Sequence, residues 1–322
     1  MRQEFEQEYL QLGLKIAYYR KLRGLTQEEL TVFIQQLING LSVGSVYALM
    51  AVGYALIYSL LNFTNFAHSI SVTIGAFATF FFLTYAMQNL LAGIIMGVIA
   101  AALLAAFIQF AAYRPLLRRN ARRVYLMIIG LGMSVIGDNL VIIAFTGRFR
   151  VYPVNFTAQS INLFGASIGL VDIIIFAVSI LALVIVELII RKTRLGLAIR
   201  GASFSLDITA LMGVNTYKLI TAIFLIAGSL AGIAGALLGA KYTTYPSLGT
   251  FYTNKAFICA VIGGLGSLPG AVLGALILGV SEAFISAYVS TAMRDLFAYI
   301  LLILILLVRP SGLMGKSSED KA

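Results

Sequence analysis

The sequence has no tryptophan, one cysteine and one histidine, and charged residues fill only 11% of its 322 positions. A soluble domain carries roughly 25%. The lone Cys259 excludes an internal disulfide framework and a cysteine-based zinc site, and reads as a small apolar residue in a helix. The lone His68, with no acidic cluster beside it, leaves a metal ion too few ligands. It also leaves an enzyme little from which to assemble a nucleophile and its base. No Gly-x-x-x-x-Gly-Lys-Ser/Thr pattern occurs, so no cofactor is expected on this chain and any ATP must be hydrolysed elsewhere. No apolar stretch precedes residue 32, so no cleavable signal is expected. Without tryptophan, anchoring at a membrane boundary falls to the 16 tyrosines.

What remains is apolar. Hydrophobic residues make up 60% of the chain and the mean hydropathy is +0.96. They fall in runs such as Ile94–Ala112, Ile173–Ile190, Leu219–Ala240 and Leu296–Val308, near the roughly 20 residues that cross a bilayer. These runs have no polar face to offer water. The fold class is therefore an all-α polytopic membrane protein. About eight hydrophobic segments can be drawn, at 33–61, 65–88, 90–113, 124–146, 169–190, 218–240, 254–286 and 294–309. Residues 1–31 form a cytoplasmic extension, 32–316 the membrane domain and 317–322 a polar tail.

The net charge of +10 lies at segment ends and does not point to nucleic acid. Arg114, Arg118, Arg119, Arg122 and Arg123 crowd one short loop; Arg191, Lys192, Arg194 and Arg200 crowd another. Both belong on the cytoplasmic side of an inner membrane, and the polar loop 147–168 between them belongs outside. Eight full crossings then fail to keep both termini cytoplasmic. Parity is restored if 65–88 and 254–286 dip in and return. The first carries Asn62, Asn65, His68 and Ser69; the second carries Gly263, Gly264, Gly266, Ser267 and Pro269. Broken segments at membrane depth need protein or a wet cavity to satisfy their backbone. Two of them in comparable places imply inverted repeats around a central substrate path.

Single polar residues carry two readings each. His68 is a hydrogen-bonded residue at a helix break or a lining residue of the path. Asp138, in an apolar stretch and followed by Asn139, pays about 2.5–3.5 kcal/mol for its depth, so it must face the bundle or water, either paired structurally or touching substrate. Asp172 and Glu187 sit near segment ends and are expected to be solvated, while for Glu282 a pairing with Arg294 is one of two open readings. At the start of the chain, Leu12, Ile16, Tyr19 and Leu22 make an apolar face with Lys15, Arg20, Lys21 and Arg23 around it. Leu14–Leu30 resembles the opening of a repressor-type helix-turn-helix, truncated where the membrane segment begins, so no DNA binding is expected.

The stretch Arg191–Asn215 is too long for a tight turn. It holds a short helix-like run, Ser205–Met212, ended by Gly213, with Leu206, Leu211 and Asp207 as apolar and charged contacts. Such a helix either docks a soluble partner or merely anchors the loop at the membrane surface. Here the chain resembles a known family. Gly196, Arg200, Ala210, Gly213, Val214 and Asn215 are similar to the coupling loop of ABC permeases for branched-chain amino acid import, with Gly201 in place of the usual Ala. Asn39–Leu49, Asn65-Phe66-Ala67-His68 with Ser69 replacing Gly, Ala256–Phe284 and Arg309–Gly315 resemble its LivH-like subunit. The resemblance spans 33–316. It implies a permease subunit that works with two cytoplasmic ATPase subunits carrying ATP, a second related permease subunit and an external binding protein. It implies a coupling role for Arg200, Ser205, Leu206, Asp207, Leu211 and Gly213. Asn62, Asn65, His68, Ser69, Gly263, Gly264, Gly266 and Ser267 are the expected substrate path. Urea or amides as cargo, or an ion-coupled secondary transporter using Asp138 and His68, are the alternatives.

Overall fold

A computed structural model describes residues 27–153, 160–163 and 166–315. The elements are α1 (Gln27–Leu61), α2 (His68–Tyr85), α3 (Leu90–Ile108), α4 (Arg114–Arg118), α5 (Arg123–Phe145), a hairpin of β1 (Ser160–Leu163) and β2 (Ala166–Gly169), and α6 (Leu170–Lys192). They continue through α7 (Arg194–Phe204), α8 (Leu206–Leu211), α9 (Thr216–Lys241), α10 (Leu248–Gly263), α11 (Leu268–Tyr288) and α12 (Arg294–Val308). Among the described residues, eight helical stretches are long and apolar enough to cross a membrane. The fold is the all-α polytopic bundle that the composition predicts.

Local chemistry sets the boundaries. Asn89, Ser205, Asn215 and Ser267 each accept a backbone N–H at the start of a helix, covering one of its free donors. Asn62 takes the left-handed conformation (φ 52°) and its N–H donates to Tyr58 O, stopping α1. Between α3 and α4 the helix widens into a π turn, Gln109–Tyr113, one residue before Pro115, whose missing N–H breaks the regular ladder.

The centre is α1. Its residues from Gly44 to Ile57 are all buried, as expected of a helix apolar on every side. It packs most extensively on α11, and α9 packs most extensively on α3. These two pairings are counterparts: α1–α2–α3–α5 and α9–α10–α11–α12 repeat the same order of helices, and α2 and α10 also touch each other. Both crossings rest on glycine. A Cβ on Gly279 of α11 would lie 2.4 Å from the Cα of Gly44, and one on Gly232 of α9 would lie 2.7 Å from the carbonyl of Gly97. The sequences Gly40-x-x-x-Gly44 and Gly228-x-x-x-Gly232 thus serve the same close approach twice.

The repeats are inverted. Gln35 on the first part of α1 donates to Ser167 O of the hairpin, and Lys241 at the end of α9 pairs with Asp172 at the start of α6. Arg114 and Arg118 stack on Tyr217 at the start of α9. So α1 starts, and α9 ends, at the hairpin face, while both basic loops lie at the opposite face.

Two expectations change. Segment 65–88 holds one uninterrupted helix that does not dip and return, because α2 runs from His68 beside Gly53 to the hairpin face. Segment 254–286 does go in and back, as the two antiparallel helices α10 and α11. The described chain therefore begins and ends at opposite faces, not on one side. The boundary drawn at 31/32 falls inside α1. The readings of residues 1–26 and 317–322 lie outside the described residues.

Gly279→Val forces α1 and α11 apart. It should lower the stability of the detergent-solubilised protein by about 1–3 kcal/mol, read as a drop in thermal unfolding temperature, whereas Leu273→Val on the exposed side of α11 should leave it within about 0.5 kcal/mol.

Candidate functional site

Each repeat contains a break, at 62–67 between α1 and α2 and at 242–247 between α9 and α10. The two breaks lead to helix starts that meet inside the bundle. The Thr73 hydroxyl of α2 donates to Pro246 O (3.3 Å) and accepts from Gly249 N (3.0 Å). Gly249 packs so closely on the Ser69 carbonyl that an added Cβ would lie 1.9 Å away. Helix α5 covers this junction: Ser134 and Ser69 hydroxyls lie 2.7 Å apart, and Gly137 fits against Ile70. One turn of α5 further on, Asp138 Oδ2 accepts from the Thr250 hydroxyl at 2.7 Å.

The first break is tightly packed. Tyr113 donates to Asn65 Oδ1 at 2.6 Å, and the His68 ring sits 5.1 Å from that of Tyr54. His68 is 2% exposed and its Nε2 has no hydrogen-bond partner. Ile57, Asn65, His68, Ser71, Phe224 and Gly228 surround a space too tight for a water molecule. Asn62, the exposed residue that ends α1, stands apart from it.

The glycine run lies elsewhere. Gly263 and Gly264 end α10, Gly266 and Ser267 turn the chain into α11, and Gly264 and Gly266 need positive φ (103° and 88°). This turn holds the C-terminal segment, with Leu313 N and Met314 N donating to Ile262 O and Gly263 O. The repeat counterpart of the 62–67 break is therefore 242–247, and Gly263–Ser267 corresponds to the α2–α3 turn. Pro246, Gly249 and Thr250 escaped the sequence reading, although a proline between two apolar runs marks a break. Thr73 and Ser134 carried no signal, since only packing distinguishes them from other helical hydroxyls.

A second polar cluster lies toward the hairpin face. Lys255 Nζ bridges Glu282 (2.8 Å) and Asp295 (2.7 Å), Arg294 Nε lies 3.2 Å from Glu282, and the Tyr47 hydroxyl donates to Glu282. Glu282 thus takes Arg294 as a partner, one of the two readings its sequence context left open. Asp172 is not solvated: it is largely buried, bonded to Lys241 and to the Ser42 hydroxyl.

At the opposite face, the chain between α6 and α9 forms α7 and α8. Arg200 donates to Ile190 O, bracing α7 against the end of α6. Ser205 caps α8, Gly213 ends it at φ 84° and Asn215 starts α9. Thr209 faces inward, while Asp207, Ile208, Leu211 and Met212 face out, Leu211 with 86% of its surface exposed.

Residues 36–306 match the family model described as "Branched-chain amino acid transport system / permease component". The chain is 38% identical over 307 residues to the high-affinity branched-chain amino acid transport system permease protein LivH of Salmonella typhimurium, covering 91% of this chain and 99% of that one. It is 36% identical to LivH of Escherichia coli K12 over the same shares. It is 37% identical to BraD of Pseudomonas aeruginosa, again over 91% of this chain and 99% of that one. The chain belongs to the branched-chain amino acid transport permease family. In this permease the coupling-like loop and the second break are joined by one helix, because α9 begins at the loop and ends at that break.

Thr73→Val leaves a buried N–H and a buried carbonyl without a partner. It should destabilise the permease by about 1–3 kcal/mol in thermal unfolding, and Thr73→Ser, which keeps the hydroxyl, should recover most of that loss.

Proposed function

We propose that the chain is the membrane-spanning permease subunit of an ATP-driven importer of branched-chain amino acids. The observation that carries this reading is α8: a short capped helix with an apolar, solvent-facing side, held by Thr209 and Gly213 on the face that bears both arginine loops. A soluble ATPase can push on such a helix. The push passes into α9 and so to the Pro246–Gly249 break. Family membership supports the same reading, and the chain works as a translocation subunit with no catalytic site of its own. ATP sits on two cytoplasmic ATPase subunits.

The arginine loops support a cytoplasmic α8 face, with the hairpin face outside an inner membrane and open to a substrate-binding protein. A second, related permease subunit completes the pore. The path runs past the start of α2, near Asn65, His68 and Ser69. It continues past the start of α10, where Pro246, Gly249 and Thr250 take the place first given to Gly263, Gly264, Gly266 and Ser267. Asn62 lies at the edge of this path. A zwitterionic cargo suits a site built from helix starts and free backbone groups.

Reconstituted with its ATPase, partner permease and binding protein, the chain should drive leucine uptake that needs ATP hydrolysis. Leu211→Asp should cut that uptake about tenfold or more, the loss expected when a buried apolar anchor is replaced by a charge, while the permease pair still copurifies. Uptake that continues without the ATPases and follows the proton gradient would sink the ABC reading.

A further inference from the structure

Most carboxylates near the described spans have a cation within reach. Asp172 faces Lys241, Glu187 faces Arg191, Glu282 faces Lys255 and Arg294, and Asp295 faces Lys255. Asp138 has none among the described residues. Its Oδ2 is held by the Thr250 hydroxyl at 2.7 Å, and its Oδ1 is buried with no hydrogen-bond partner. The residue lies seven positions before the end of α5, about 10 Å in from the hairpin face at 1.5 Å per residue. It stands beside the first turn of α10, where the starts of α2 and α10 meet. A carboxylate kept this deep in an apolar helix, with one oxygen fixed and the other unanswered, is a receptor for a positive group that the chain itself does not supply.

We propose that Asp138 binds the α-ammonium group of the transported amino acid as it enters from the hairpin face. Thr250 positions the carboxylate by holding Oδ2, so that Oδ1 faces the cargo. This assignment rests on the amino acid reading given above. It adds the one charged contact that a site of helix starts lacks, because helix starts attract the carboxylate end of a zwitterion and repel its ammonium.

The test uses the complete transporter in proteoliposomes, with radiolabelled leucine uptake and ATP hydrolysis measured on the same vesicles. Asp138→Asn keeps the size and the Thr250 contact but removes the charge. Leucine carried per ATP hydrolysed should fall about ten- to a hundredfold, while copurification of the partner permease and ATP hydrolysis stimulated by loaded binding protein stay near wild type. Thr250→Val should give a smaller fall in the same ratio. An Asp138→Asn transporter that carries leucine within twofold of wild type overturns the proposal. So does a variant whose assembly and ATP hydrolysis fall in step with uptake, since Asp138 would then be a structural or inter-subunit contact. A wild-type complex that hydrolyses ATP on loaded binding protein yet carries no leucine overturns the substrate reading, and this assignment with it.

Discussion

A backbone that leaves helical geometry inside a membrane must find its hydrogen bonds within the protein, and the rest of this permease is arranged around that demand. The first break, at 62–67, answers it locally, with His68 N and Ser69 N donating to Asn65 O and Phe66 O, and the second, at 242–247, answers it on α2. Thr73, one turn into α2, supplies the acceptor for Gly249 N–H and the donor for Pro246 carbonyl. Without Thr73 the second break would leave the Gly249 N–H and the Pro246 carbonyl unmatched. These Thr73 bonds need α2 and α10 to start side by side, as the inverted repeat places them.

The repeat also explains the glycines. Bringing two broken helices together draws their supporting helices close, so α1 meets α11 and α9 meets α3 at distances that leave no room for a Cβ at Gly279 or Gly232. In a membrane, van der Waals contact replaces the hydrophobic effect as the force between helices, and small residues are where that contact is densest. The outer helices α5, α6 and α12 show the converse, with large apolar side chains such as Ile143, Leu181 and Leu307 turned outward.

Charge is sorted by face. Arginines gather where α4 and α7 emerge, and paired charges gather toward the hairpin, where Lys255, Glu282, Arg294 and Asp295 tie α10, α11 and α12 together. That network neutralises itself, which makes it a structural clamp. Asp138 differs because no cation answers it among the described residues. The coupling-like loop differs again: its one carboxylate, Asp207, lies on a helix that presents apolar surface to solvent.

The sequence by itself determined the membrane class, the apolar segments, the short helix ending at Gly213 and the family, because each is written in local composition or in contiguous motifs. Hydrophobic length and charge at segment ends do not depend on what packs where. It misplaced the second break, taking the glycine run 263–270 for it, because glycine and proline mark both a turn between two helices and an opening in one, and only neighbours tell these apart. It could not pair Thr73 with Pro246, Ser69 with Ser134 or Asp138 with Thr250, which lie 65 to 173 positions apart. Tertiary structure decided those contacts, since a buried polar group is defined by the partner that satisfies it, and that partner is chosen by packing between repeats.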